Sequence, residues 1–229
     1  MGASTAIILC GGLGTRLSSV VSDRPKSMAL VAGKPFLEIL ITGLITQGIT
    51  KLVLATGYLK NEIEGYFGPE FMGAEIEYSR EESPLGTGGA IKRAALHVTD
   101  FPVLVCNGDS WVDFTLEALV AEFRETNSPV MLLRELEDTA RFGSVSVMDG
   151  RIESFGEKST SGPGYINAGV YLLDDSTLSR LPASVSFSFE SDFLQPQISN
   201  LGFRAAFASG RFIDIGTPDD YVKAQSELS

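Results

Sequence analysis

Residues 5–17 constrain the fold most. The apolar run Thr5-Ala6-Ile7-Ile8-Leu9 empties through Cys10 into Gly11-Gly12-Leu13-Gly14-Thr15-Arg16-Leu17. A short buried strand that opens into a glycine loop predicts an α/β architecture with its ligand at the strand's carboxyl end. Glycines let the backbone turn tightly and gather N–H groups into a cradle for phosphate oxygens. Arg16 adds a permanent forked charge suited to a polyphosphate. Two better-known loops are excluded by spacing. No lysine follows the glycines as a P-loop requires, and Leu17 occupies the third glycine position of the dinucleotide fingerprint.

The remainder of the first half alternates strand and helix. Strands are predicted at 4–10, 51–56, 74–79 and 102–106, and helical spacing at 35–47, 60–67 and 87–97. That order predicts a mostly parallel sheet with helices on both faces. After residue 129 the strands at 129–135, 144–148, 151–155 and 165–173 follow one another without long helices, which predicts an antiparallel or mixed extension. A helix at 190–198, a strand near 203–207 and a helix at 217–228 close the chain. No linker or repeat interrupts the 229 residues. A single domain is expected, with a nucleotide-binding half at about 1–110 and a sugar-phosphate half at about 111–229.

A formal net charge of −11 argues against nucleic acid or an anionic membrane as partner, so any phosphate site must be a local concentration of cations. No apolar stretch reaches the length of a membrane span and no basic region precedes Ile7, so a cytoplasmic protein is expected. Cys10 and Cys106 lie at the ends of apolar runs without metal spacing and read as buried thiols. His97, on a helix, reads as a surface or packing residue.

Four further segments carry chemistry. In Asp23-Arg24-Pro25-Lys26 the proline fixes the backbone so that Lys26 can reach back over the anion pocket. A solvated loop lysine is the alternative, and the nearby Arg16 favours the pocket. Glu81-Glu82-Ser83-Pro84-Leu85-Gly86-Thr87-Gly88-Gly89 is a second glycine-rich loop opening a helix. Small residues admit a flat ring, and a carboxylate beside it can accept the two N–H donors of a guanine edge. Taken alone, the same segment reads as an ordinary helix N-terminus. Asp109, after Asn107-Gly108, and Asp214, before Ile215-Gly216-Thr217-Pro218, each end an apolar run. Either could merely cap a helix or turn. Two carboxylates meeting a polyphosphate, however, suit a magnesium ion. Glu157-Lys158 could grip sugar hydroxyls and a phosphate, or be a solvated charge pair.

In their order along the chain, G-G-x-G-T-R-L, P-K, P-L-G-T-G-G, N-G-D, E-K, N-A-G and D-x-G-T-P resemble the sugar nucleotidyltransferases, the family that makes nucleoside-diphosphate sugars. The resemblance implies the family's Rossmann-like, GT-A-like mixed sheet. The left-handed β-helix extension of many relatives is not expected. Gly33-Lys34-Pro35-Phe36-Leu37-Glu38, Arg141-Phe142-Gly143, Gly164-Tyr165-Ile166-Asn167-Ala168-Gly169 and Phe187-Ser188-Phe189-Glu190 look most like members that transfer guanylate to a heptose 1-phosphate. The resemblance then implies GTP and a sugar 1-phosphate as substrates, magnesium as cofactor, and a product destined for a bacterial surface polysaccharide.

Residue by residue, the resemblance implies that Leu9, Gly11, Gly12, Gly14, Thr15 and Arg16 bind the nucleotide. Arg16, Lys26 and Asp109 act in catalysis, Glu81 reads the base and Gly86 underlies it. Asp109 and Asp214 hold the metal, Gly143, Glu157 and Asn167 contact the sugar, and Lys158 holds its phosphate. Ser27 departs from the family's P-K-P. Mannose 1-phosphate or a uridylyl donor are the competing substrates, and a non-catalytic nucleotide-sugar sensor is the competing class. Oligomeric state is left open, a homodimer included.

Overall fold

Side chains alternate between two cores along β1 (Thr5–Leu9): Ala6 and Ile8 enter one, Ile7 the other. A strand buried on both faces needs a layer on each side, and the chain supplies both. The computed structural model describes residues 2–228 except Leu13, Thr15, Arg16, Ser18, Ser19, Ser22 and residues 158–160.

After β1 come a 3-10 turn (Lys26–Met28), the hairpin β2 (Leu30–Val31) and β3 (Lys34–Pro35), and α1 (Phe36–Thr46). Then follow β4 (Lys51–Thr56), α2 (Lys60–Phe67), β5 (Glu70–Phe71), β6 (Ala74–Arg80), α3 (Gly86–Ala94) and β7 (Val103–Asn107). The second half holds β8 (Ser110–Val112), α4 (Leu116–Thr126), β9 (Val130–Leu136), β10 (Val145–Met148), β11 (Arg151–Phe155) and β12 (Gly164–Leu173). It ends with α5 (Asp175–Ser179), a π-helical turn (Phe189–Leu194), α6 (Gln195–Leu201), β13 (Arg204–Ala208), β14 (Phe212–Asp214) and α7 (Pro218–Glu227).

The main sheet runs β10-β11-β13-β9-β12-β7-β1-β4-β6-β5. Pairing is parallel from β7 through β1 and β4 to β6, as the strand–helix alternation requires. It turns antiparallel at β12, which pairs with both β7 and β9, while β13 returns parallel to β9. The mixed extension thus begins at β12, on the far side of β7 from β1. Leu37, Leu40, Ile41 and Leu44 of α1 cover one face together with α2 and α4. Ala90, Ile91 and Ala94 of α3 cover the other with Phe189, Phe193 and α6. Each fully buried leucine or isoleucine contributes about 1.5–3 kcal/mol, so the two layers outweigh any single loop contact.

Short elements that the sequence reading did not name are β2, β3, β5, β8 and α5, and two longer ones differ from it. The helix α4 was not anticipated, although Leu116, Leu119 and Val120 make an apolar stripe. The single helix expected at 190–198 is instead a π turn passing into α6, because Pro196 lacks the N–H a continuous ladder needs.

A third, smaller core of Leu17, Ala29, Val31, Phe36, Ile213, Ile215 and Ala224 ties the segment after the glycine loop to the chain's last helix. Tyr221 and Gln225 of α7 both donate to the Leu30 carbonyl, at 2.7 and 2.8 Å. This docking carries Lys26 and Asp214 toward one place. Among the described residues no helix is long and apolar enough to cross a membrane. Both cysteines are free and buried, and burial pushes the Cys106 thiol up to about 12.

Candidate active site

Two cavities open along the carboxyl ends of the central strands, and Asn107 at the end of β7 lines both. The first, of about 670 Å³, is walled by the glycine loop, Lys26, Glu81, Gly86 and Asp109. The second, of about 990 Å³, is walled by Arg141, Gly143, Glu157, Asn167, Glu190 and Asp214. Asn107 and Asn167 stand on strands of the main sheet and Asp214 on β14, while Lys26, Glu81, Asp109, Arg141, Gly143 and Glu157 stand on the turns and loops that leave the strands.

At the junction Lys26 reaches between two carboxylates. Its Nζ lies 2.6 Å from Asp109 Oδ2 and 3.7 Å from Asp214 Oδ1. The antiparallel pair β8–β14 aligns Ser110 with Asp214, and the Ile215 N–H donates to the Asp109 carbonyl at 3.0 Å. That register brings together carboxylates more than a hundred residues apart in the chain. Burial, then the neighbouring Asp109 charge, pushes the Asp214 carboxyl above the ordinary carboxylate range, against the pull of Lys26 and Arg141. Gly14 adopts a left-handed φ of +62°, and a Cβ there would come within 2.9 Å of Lys26 Cβ. The bare backbone of the loop therefore packs directly on the lysine stem and aims it.

Glu81 lies at the far wall of the first cavity. Its Oε2 accepts from the Leu85 N–H at 3.0 Å, and burial raises its pKa. A Cβ on Gly11 would come 3.0 Å from both Glu81 Oε1 and the Gly57 N, so a larger residue there would push on its neighbours. The glycines of the second loop have a further role that sequence reasoning missed. Gly86 has φ +69°, and a Cβ on it would sit 2.5 Å from the Phe187 carbonyl. One on Gly88 would collide with the Phe187 ring itself. These small residues admit the 185–189 segment, and Gly86 still lines the cavity.

A family model described as nucleotidyl transferase matches residues 5–229. The chain belongs to the nucleotidyl transferase family. A D-glycero-alpha-D-manno-heptose 1-phosphate guanylyltransferase of Aneurinibacillus thermoaerophilus is 42% identical over 224 residues, covering 97% of each chain. One of Campylobacter jejuni subsp. jejuni serotype O:2 is 43% identical over 218 residues, 94% of this chain and 96% of that one. The crystal structure of HddC from Yersinia pseudotuberculosis complexed with GMP-PN superposes with a TM-score of 0.87 at 34% identity, over 99% of this chain and 100% of that one.

In this nucleotidyl transferase the residues named from sequence divide between the cavities. Leu9, Gly11, Gly12, Gly14, Lys26, Glu81, Gly86 and Asp109 line the first; Gly143, Glu157, Asn167 and Asp214 line the second. Thr15, Arg16 and Lys158 lie outside the described residues. His97 pairs with Glu77 away from both cavities, in keeping with a packing role. Sequence reasoning did not assign two residues of the second cavity. Arg141 Nη2 donates to Asp214 Oδ2 at 2.9 Å while its Nη1 pairs with Asp220. Its guanidinium also lies 4.9 Å above the Phe142 ring. Glu190 accepts from Thr87 and Tyr171 in a partly buried polar network. Arg141-Phe142-Gly143 and Phe189-Glu190 were visible as motif pieces, but their partners lie far along the chain.

Nucleotidyl transferases generally use a divalent metal. Asp109 and Asp214 offer hard oxygen donors converging where an ammonium already sits, which fits such an ion. Among the described residues no three His, Cys, Asp or Glu side chains converge, so substrate phosphate oxygens would complete its shell.

Proposed function

We propose that this nucleotidyl transferase joins GTP to D-glycero-α-D-manno-heptose 1-phosphate, giving GDP-heptose and pyrophosphate. Identity of 42–43% to heptose 1-phosphate guanylyltransferases, sustained along nearly the whole of both chains, carries the reading. The paired cavities support it: two adjoining spaces can take two substrates, with Lys26, Asp109 and Asp214 where they meet. The first cavity draws almost wholly on residues before 110 and the second on those from 107 to 214, which supports the division into two functional halves.

The mechanism needs no nucleophilic side chain. The sugar phosphate has a second pKa near 6 and is largely dianionic at neutral pH. One of its oxygens attacks the α-phosphorus of GTP in line; the new P–O bond forms as the bond to the bridging oxygen breaks and pyrophosphate leaves. Orientation and neutralisation of oxygen charge then supply the rate. The glycine loop with Thr15 and Arg16 holds the triphosphate, and Lys26 meets charge growing at the α-phosphate. Glu81 accepts the guanine donors, Gly143, Glu157 and Asn167 hold the sugar, and Lys158 its phosphate. Asp109 and Asp214 would hold Mg²⁺, which supplies charge neutralisation at the phosphates. The product would serve surface polysaccharide synthesis from the cytoplasm.

Pyrophosphate release measured for GTP, ATP, UTP and dTTP against heptose, mannose and glucose 1-phosphates tests the reaction. GTP with the heptose is expected to give the highest kcat/KM. Preference for UTP or dTTP would overturn the base assignment, and nucleotide binding without turnover on any sugar would point to a sensor. The Glu81 reading has its own test. Because burial raises its pKa, its carboxylate is protonated at a higher pH than an ordinary glutamate. GTP affinity should therefore fall on acidification before pH reaches about 4.3, the ordinary glutamate value. In Glu81→Gln the affinity should be weaker at neutral pH and lack this step; parallel pH profiles for the two proteins would remove Glu81 from base recognition.

A further inference from the structure

Behind the second cavity a chain of hydrogen bonds runs from the nucleotide loop to Asn167. Thr87, in the first turn of α3 and on the wall of the first cavity, donates from Oγ1 to Glu190 Oε2 at 3.2 Å. The same hydroxyl accepts from the Phe189 N–H at 2.8 Å, which fixes its direction. Tyr171, wholly buried in β12, donates its phenolic proton to Glu190 Oε1 at 3.1 Å and accepts from Asn167 Nδ2 at 2.6 Å. Asn167 Oδ1 in turn accepts from the Gly169 N–H at 3.0 Å, across an irregularity in β12 where Gly169 has φ +73°. Burial, then the Glu190 charge, raises the Tyr171 phenol well above its usual range, so it remains a donor.

Among the described residues the donor count leaves Glu190 with capacity to spare. An ionised carboxylate offers about four acceptor positions, and Thr87 and Tyr171 take one on each oxygen. Glu190 is half-buried and lines the second cavity beside Asn167. The wall there thus presents free carboxylate acceptors next to an amide whose orientation is set by Tyr171 and Gly169. Adjacent hydroxyls of a sugar ring match that pair: one donates to the carboxylate, its neighbour accepts from the amide N–H. We infer that Glu190 is a sugar-recognition residue, anchored from the nucleotide side through Thr87, and that Tyr171 is a positioning residue acting through Asn167. The assignment rests on the proposed reaction and deepens it.

Calorimetric binding of GDP and of GDP-heptose to the wild type, Glu190→Gln and Tyr171→Phe tests this without turnover. The glutamine keeps the shape of the side chain but gives up acceptors, and thermal melting reports whether each variant is folded. The wild type is expected to bind GDP-heptose more tightly than GDP. In Glu190→Gln, GDP-heptose should weaken at least tenfold while GDP stays within twofold. In Tyr171→Phe, which leaves the carboxylate in place, the same selective loss should be smaller. Equal weakening of both ligands would make Glu190 a brace for the nucleotide loop and overturn the inference, as would unchanged GDP-heptose binding in a folded Glu190→Gln. Absence of GDP binding to the wild type would overturn the proposed reaction with it. An intact sugar contribution in Glu190→Gln defeats the inference alone.

Discussion

Asp109→Asn and Asp214→Asn are each expected to lower turnover at least about a hundredfold, a loss of about 2.7 kcal/mol in transition-state stabilisation. The asparagine keeps the shape of each side chain and removes one negative charge from the point where Lys26 Nζ lies 2.6 Å from Asp109. The two carboxylates oppose each other electrostatically, since the Asp109 charge is among the causes that raise Asp214. Such an arrangement costs the protein unless cations hold it, and a site that pays this cost is suited to receive one. A second readout separates the metal reading from a purely structural one. Mg²⁺ should raise the melting temperature of the wild type and have much less effect on either variant. Without metal, Asp214→Asn should melt no lower than the wild type, because it removes a half-buried carboxylate whose charged form is disfavoured; Arg141 retains Asp220 as partner. Near-normal turnover in both variants would remove the pair from the mechanism.

Local signals made most of the fold legible, and distance in the chain hid the rest. The apolar runs at 5–9, 51–56 and 103–107 announce strands because each is buried on both faces and must be uniformly apolar. The motifs that end those strands marked the site for the same reason: only the carboxyl ends of a parallel sheet leave a crevice. What escaped was pairing between remote segments. No local pattern says that Ser110 aligns with Asp214, that Gln225 reaches Leu30, or that Glu190 receives both Thr87 and Tyr171. The glycines of the second loop show the limit plainly. Their smallness was read as room for a base, whereas the structure fills the space beside Gly88 with the Phe187 ring. A sequence shows that something must come close, and only the fold shows what does. The helix α4 is a different kind of miss, since its stripe of Leu116, Leu119 and Val120 was available to inspection.

Lys26→Ala and Lys158→Ala are expected to divide the kinetics between them. Lys26 is aimed by Pro25 and by the bare backbone of Gly14, and its ammonium stands at the junction of the two cavities. An ammonium so placed meets charge that grows at the α-phosphate only as the new bond forms, so Lys26→Ala should chiefly lower kcat. Lys158 is proposed to hold the phosphate of the sugar in ground and transition states alike, so Lys158→Ala should chiefly raise KM for the sugar phosphate. Either loss should cost about 2 to 4 kcal/mol in kcat/KM where the contact is desolvated and charge-assisted. The lysine at 26 has a second duty that sharpens the test. It also compensates Asp109 and Asp214, so its removal leaves the two carboxylates facing each other with, among the described residues, Arg141 beside Asp214. Lys26→Ala should therefore melt lower than the wild type without metal and gain more from added Mg²⁺, while keeping a lowered kcat at saturating Mg²⁺. Recovery of full kcat under those conditions would reduce Lys26 to a counter-ion for the carboxylates. A rise in sugar KM alone would exchange the roles of the two lysines.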